Sequence, residues 1–412
     1  MTIEFGEQLR EARRRAGLTQ RKLGNGRYST SYVSLLESGK REPTPPVLVD
    51  FAMSLGLSES VLRSWTSPVR PEDTALAAAA HSANMMFNLR DFTASLEAAA
   101  YAARVAADIG DTALWWNTSF VAAECHYALS DYPPARTIME ELLGSPLAAR
   151  SDPLRAKAAT FLSSVHRLQG NFPSAIKLAE DALAASDPTL CAVDAVQASM
   201  ALIAAATELG QLDQAWETAA ALRGSLENTD LPRQTRGKAA WAIGNTAYAR
   251  RDIATGQVCH HRAAELLQPG DSLELWTHFL QAAASARLRA GIADAATEDL
   301  INRAEVAATL LNAHDDEVKL QLIRARWYAL TDAPERALSL LKDVHTYQEI
   351  LSSSQQAEVA LLLGQMHRQL DHPAEARTHF LSAAKRFADT GLADRASEVL
   401  AQLIDIDEPA TP

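Results

Sequence analysis

The feature that most constrains this chain is a spacing. Eight short turn segments, RDFTAS, SDYPPA, GNFPSA, GQLDQA, RDIATG, AGIADA, DAPERA and DHPAEA, recur along it, each between two runs with helical apolar spacing. The small residue closing each turn falls at Ser95, Ala135, Ala175, Ala215, Gly256, Ala295, Ala337 and Ala376, at intervals of 40, 40, 40, 41, 39, 42 and 39 residues. A near-constant period of that size predicts stacked helix pairs, each burying its apolar face against the next. Twelve residues before each closing position the first helix carries Ala83, Ala123, Ser163, Ile203, Gly244, Ala283, Ala325 and Gly364, and seven of these eight are small. Small side chains there let paired helices approach closely. Composition agrees with an all-α chain: 47% of residues are apolar, mostly Ala and Leu, and Val and Ile show no strand-like alternation. At 412 residues, more than one packing unit is expected.

These units resemble tetratricopeptide repeats with lengthened helices. Seven residues after the closing position, Ala102, Ala182, Ala263 and Ala383 keep the pattern, whereas Leu142, Leu222, Asn302 and Val344 depart from it. The resemblance implies a right-handed α-solenoid of about eight helical hairpins over residues 74–406, with first helices lining a concave face. Carrying the repeat register over points Asn84, Asn117, Tyr127, Lys157, Arg167, Gln197, Lys238, Trp241, Asn245, Tyr248, Arg287, Lys319 and Arg326 inward, together with Asn88, Glu124, Gln365 and Arg368. Amides can pair with a peptide backbone, Lys and Arg can hold a carboxylate, and the aromatic rings can hold an apolar side chain. The set therefore outlines an effector groove, or else a solvated inner face.

The first 65 residues read differently. They carry ten Lys/Arg against seven Asp/Glu, a balance of +3, whereas the remainder stands at −15. That asymmetry is expected if only the head meets phosphate. A first helix is expected from about Ile3 to Ala16, ended by Gly17. Thr19 caps a short second helix containing Gln20, Lys22 and Leu23. Ser29 or Thr30 caps a third helix running to Glu37, and Pro43, Pro45 and Pro46 lead into a fourth, Val47 to Leu55, before a short fifth. The Gly-Leu-Thr-Gln opening at 17–20, Ser-Tyr-Val-Ser at 31–34, Glu-Ser-Gly-Lys at 37–40 and Leu-Gly-Leu at 55–57 resemble the helix-turn-helix domain of the phage-repressor-like (XRE/Cro) family. The turn Gly24–Tyr28 is one residue shorter than the family pattern, with glycine where alanine usually packs.

This resemblance implies that the third helix enters the major groove of double-stranded DNA while the second crosses the backbone. Ser29, Thr30, Ser31, Tyr32 and Ser34 are the candidate base readers, with Lys22, Arg27, Lys40 and Arg41 suited to phosphate. Gln20 would touch phosphate or brace the third helix. Ser29 has an alternative reading as an N-cap, Tyr32 as a core residue, and Arg10–Arg15 as a solvated face. The family pattern pairs Glu37 with Arg13.

Residues 66–73 read as a proline-bearing linker and 407–412 as a disordered tail. The charged start lacks the apolar stretch of a signal peptide, and no run of 18 apolar residues occurs, so no membrane span is expected. Cys125, Cys191 and Cys259 lie far apart, which suits buried thiols in a reducing, cytoplasmic setting. His260 and His261 diverge on a helix, His126, His166 and His367 occupy equivalent repeat positions suited to inter-helix packing, and Asp315–Glu317 reads as a solvated helix start. With no phosphate loop, nucleophile elbow or metal motif, neither an enzyme nor a cofactor is expected. The layout resembles regulators that join such a head to tetratricopeptide-like repeats and respond to short signalling peptides in quorum sensing. The expectation is a homodimeric transcription regulator with a peptide or small-molecule effector. Alternatives are a regulator whose repeats hold a protein partner, and a scaffold whose head does not bind DNA.

Overall fold

The computed structural model describes residues 2–66, 71–186, 192–227 and 230–407, and among them no strand occurs. The chain divides into two compact units, 1–82 and 83–412.

The head holds five helices: α1 (Thr2–Arg15), α2 (Gln20–Leu23), α3 (Thr30–Glu37), α4 (Pro45–Leu55) and α5 (Glu59–Thr66). Thr19 caps α2, its Oγ1 accepting from the Lys22 N–H at 3.2 Å, and Ser29 caps α3 through the Tyr32 N–H at 3.1 Å. Pro45 and Pro46 open α4, where a missing N–H costs nothing, so this helix starts two residues before the expected Val47. Phe5, Leu9, Leu23, Val33, Leu36, Phe51 and Leu62 form the core. Two glycines fit tight places. A Cβ on Gly6 would stand 2.6 Å from the Leu36 and Glu37 carbonyl oxygens, so α1 crosses α3 backbone to backbone. A Cβ on Gly24 would stand 2.3 Å from the Tyr28 carbonyl oxygen, which is why the shortened turn carries glycine.

The division between units falls inside α6 (Pro71–Asn88). After it come α7 (Phe92–Ile109), α8 (Thr112–Ala128), α9 (Tyr132–Leu143), the short α10 (Pro146–Ala149), α11 (Asp152–Leu168), α12 (Phe172–Ala185), α13 (Ala192–Leu209) and α14 (Leu212–Leu222). The stack continues with α15 (Arg233–Ala249), α16 (Ile253–Leu266), α17 (Leu273–Arg289), α18 (Ala295–Leu311), α19 (His314–Leu330), α20 (Pro334–Thr346), α21 (Ser353–Gln369), α22 (Pro373–Asp389) and α23 (Ala393–Asp407). Eight hairpins result, from α6–α7 to α21–α22, and α23 covers the end of the last. Of the expected linker, Thr66 ends α5 and residues 71–73 begin α6; Ser67–Arg70 lie outside the described residues, as do Cys191 and tail residues 408–412. Cys125 and Cys259 are buried thiols. By length and composition α13 is apolar enough to cross a membrane, but its Val196, Ala198, Leu202, Ala205 and Ala206 are buried in the stack.

Every hairpin turn uses one device. The second residue after the first helix, or the first after α13, takes positive φ, at Arg90, Ser130, Gly170, Gly210, Arg251, Gly291, Asp332 and Asp371. The next N–H then reaches back to a carbonyl five residues earlier, as in Asp131 to His126 at 2.8 Å and Asp252 to Ala247 at 2.9 Å. This left-handed residue stands five positions before the closing residue in seven hairpins. In α17–α18 it stands six before, and the closing role passes to Thr297, which is fully buried, whereas Ala295 is exposed. The expected register of α17 is therefore one residue early, and Ala284 rather than Ala283 holds the small position. His126, His166 and His367 each bridge a first helix to the start of the second, and the buried His367 also stacks on His379 of α22 at 5.4 Å between centroids. Each ring nitrogen Nδ1 meets the residue five later that starts the next helix: Asp131 at 2.9 Å, Asn171 at 3.2 Å and His372 at 3.4 Å.

The repeat unit closes on itself. Arg90 pairs with Glu274, the Ser130 hydroxyl donates to Asp315 at 3.2 Å, and Ser353 donates to the Gln169 carbonyl at 3.2 Å. Phe172 shares one apolar cluster with Phe387 and Leu392. The turns of the first three hairpins thus meet the ends of the last three.

Candidate functional site

A buried carboxylate organises the head. Glu37, 2% exposed, accepts from Arg13 Nε at 2.5 Å and Nη2 at 3.0 Å, and from Gln20 Nε2 at 2.9 Å. Burial pushes its carboxyl up, and the bonds from Arg13 and Gln20 reverse this, so it stays ionised below its ordinary range. The expected Glu37–Arg13 pair is present, and Gln20 braces α3 through the same carboxylate. Three helices are fixed by one anion.

The clamp leaves the start of α3 facing outward. Ser29, Thr30, Ser31 and Ser34 are exposed, the Ser29 hydroxyl serving as cap. Tyr32 is half-buried, stacked on Tyr28 at 5.5 Å between centroids, and the Arg41 guanidinium lies 4.8 Å over its ring. Tyr28 in turn donates to Asp50 at 2.8 Å, and Arg27 Nη1 meets the other oxygen of Asp50 at 2.6 Å. Arg27 is therefore committed to α4 while still exposed. Lys22, Lys40 and Arg41 are exposed. The arginine run divides: Arg10 and Arg13 turn to Glu37, and Arg15 pairs with Glu11 at 2.5 Å.

The repeat unit forms a concave, partly open cavity of about 2440 Å³. Of the thirteen residues expected in the groove, Tyr127, Arg167, Lys238, Trp241, Asn245, Tyr248, Lys319 and Arg326 line it. Asn84, Asn117, Lys157, Gln197 and Arg287 do not. In α8, α11 and α13 only the later turns wall the cavity, so Asn117, Lys157 and Gln197, in or near the first turns, lie beyond it. Lys157 pairs there with Asp194 at 2.5 Å. Arg287 points toward α18 because of the register shift, donating to Thr297 at 2.8 Å, Asp294 at 2.8 Å and Tyr248 Oη at 3.1 Å. Tyr248 is buried to 1% exposure against Gly256, leaving no ring face to hold a ligand.

The lining mixes apolar side chains such as Met200, Ile203 and Leu322 with polar ones that are largely paired. Asn245 Oδ1 shares a 3.0 Å hydrogen bond with His260, a ring that burial and the nearby Arg287 push down to about 4. Arg167 pairs with Glu208. Asp316, expected in a solvated helix start, is buried and meets His278 at 3.3 Å and Lys319 at 3.9 Å. Glu358 joins Arg326 to Arg395, the latter at 3.0 Å. Arg289 and Lys238 also face the cavity, and neither makes an ion pair among the described residues. Burial lowers the Lys238 pKa. Sequence reasoning missed Arg289, Glu358, Glu208 and Arg395. The Asp294-Ala-Ala-Thr297 capping pattern was the signal that could have corrected α17 and exposed Arg289.

Residues 4–65 match the family model described as a helix-turn-helix domain. No curated protein sequence is significantly similar to this chain. Among solved structures, a Rap protein complexed with competence and sporulation factor aligns over 98% of both chains at 11% identity and a TM-score of 0.50. PlcR of Bacillus thuringiensis, solved with the peptide PapR7 and DNA, aligns over 77% of this chain and 99% of its own, at 14% identity and a TM-score of 0.35. A tetratricopeptide repeat protein from Parabacteroides merdae aligns over 68% of this chain and 98% of its own, at 14% identity and a TM-score of 0.39. The chain thus carries a helix-turn-helix domain at residues 4–65 followed by a stack of repeated helical hairpins.

Proposed function

We propose that this protein is a cytoplasmic, homodimeric transcription regulator whose head reads DNA through α3 and whose repeat unit binds a peptide or other effector in its cavity. The observation that carries the DNA reading is the exposed hydroxyl face at the start of α3, held by the Glu37 clamp within a matched helix-turn-helix domain. The side chains there are hydroxyls rather than the bidentate Arg, Asn or Gln, so backbone charge and DNA shape supply much of the affinity. The effector reading is supported by the large concave cavity, whose lining mixes charged, amide and apolar side chains. An extended peptide or a small molecule fits such a concave, mixed lining.

The test is genome-fragment capture by the full chain at low salt, with native mass spectrometry of what co-purifies. The expected result is enrichment of fragments with two half-sites about 34 Å apart, or a multiple of that, and a bound species whose removal changes DNA affinity. Capture of no fragment would overturn the DNA reading. Unchanged affinity on stripping and re-adding the bound species would overturn the effector reading.

A further inference from the structure

The cavity contains one uneven cluster of charge. Arg289 comes from the last turn of α17, Arg326 from α19, Glu358 from α21 and Arg395 from α23, so four successive first or capping helices each contribute one charged side chain. Glu358 is shared: one of its oxygens meets Arg395 at 3.0 Å and the other meets Arg326. Burial pushes its carboxyl up, but Arg326, Arg395 and Arg289 together hold it at about 2, so it is fully ionised. Its two oxygens are therefore taken by two guanidiniums, while a third, Arg289, makes no ion pair among the described residues; burial first and then Arg326 lower its pKa, against the attraction of Glu358 and Glu208. Guanidinium stays protonated at any working pH. Glu398 also meets Arg395, at 3.6 Å, and Glu208 stands across the cavity in its pair with Arg167, so Arg289 is the guanidinium of the cluster that no carboxylate pairs, inside a wall of protein where charge is screened less than at an open surface.

We propose that the Arg289–Arg326–Arg395 cluster is a binding site for an anionic group of the effector, a carboxylate or a phosphate, with Arg289 as its principal donor. This deepens the effector reading above and rests on it. Arg289 presents a planar fork that matches both oxyanions with two parallel N–H bonds. Arg326 and Arg395, already oriented by Glu358, line the same cavity. The two sources of the shared chemistry are a phosphorylated small molecule and the C-terminus of a peptide.

The experiment is a thermal-shift titration of the full chain at constant ionic strength. Three probes are used: inorganic phosphate, a short alanine peptide with a free C-terminus, and the same peptide amidated. Each is run on the native protein, on Arg289→Gln, and on Arg303→Gln, whose arginine pairs with Asp299 outside the cavity. The expected result is stabilisation of the native protein and of Arg303→Gln by phosphate, by the free-acid peptide, or by both, and none by the amide. Arg289→Gln weakens the apparent affinity for the active probe at least about tenfold, equivalent to about 1.4 kcal/mol. With no anion present, Arg289→Gln melts at or above the native temperature, because it removes a buried cation that makes no ion pair. A purely structural arginine would instead lower it. A phosphate-only response identifies a phosphorylated ligand, and a free-acid-only response a peptide C-terminus. The proposal is overturned if neither anion stabilises the native protein, if the amide acts equally, or if Arg289→Gln keeps the full response. Those outcomes leave the wider effector reading to the co-purification test.

Discussion

The head and the repeat unit solve the same packing problem by opposite means. In the head, large side chains such as Phe5, Leu36, Phe51 and Leu62 meet around a single buried anion, and three of the five helices take their positions from Glu37. In the repeats, alanine does most of the packing: Ala83, Ala99, Ala123, Ala135, Ala182 and Ala263 are fully buried at recurring positions, and no single residue sets the whole. A small domain with one polar clamp concentrates its stability, whereas a solenoid spreads it over neighbouring interfaces. The first arrangement suits a rigid reading head. The second suits a cavity assembled from many helices.

The largest test of this contrast is Glu37→Ala. It leaves Arg13 and Gln20 facing a vacated carboxylate position and costs the head about 3–5 kcal/mol, the range for breaking one partner out of a buried ion pair. Differential scanning calorimetry with circular dichroism should show the head melting early while the repeat transition stays in place. Simultaneous loss of both transitions would break the comparison.

A smaller effect sharpens it from the other side. Burial pushes the Glu124 carboxyl of α8 up to about 7, against an ordinary value of 4.5. Its folded-state pKa is raised, so its neutral form is favoured by folding. Its destabilising influence is absent below about pH 4.5 and grows as pH rises toward 7. Glu124→Gln should therefore stabilise the repeat unit by about 3 kcal/mol at pH 8 and change little at pH 4. His260 acts with the opposite slope: held down at about 4, it resists protonation, so the stability it permits is lost as pH falls from 6.5 toward 4. Chemical denaturation of Glu124→Gln at the two pH values checks the first claim, and equal effects at both would contradict it.

Legibility in the sequence also divided along this line. The eight hairpins could be read because a period near 40 residues is enforced by local packing, and each turn repeats its own chemistry. The Glu37–Arg13 pair followed from the family pattern. The errors arose where a local rule met a single insertion or a distant contact. One extra residue between Gly291 and Thr297 moved Arg287 out of the cavity and Arg289 into it. Asp315 and Asp316 looked like a solvated helix start, yet Asp315 meets Ser130 from a hairpin 185 residues earlier, and Asp316 is buried beside His278. Periodicity reports which face of a helix is apolar. It does not report which repeats meet when the stack closes, and that closure decides which polar residues of the first helices share the cavity.

The smallest change bears on the central claim, that α3 of the head reads DNA with backbone charge supplying much of the affinity. The most direct measurement is the salt dependence of full-chain binding to a captured fragment, for the native protein, Lys40→Ala and Thr30→Ala. Lys40→Ala should weaken binding to all sequences about equally and reduce the slope of log K against log salt by about one. Thr30→Ala should leave the slope unchanged and alter preference at one base position. Both variants matching the native protein in slope and preference would contradict the claim.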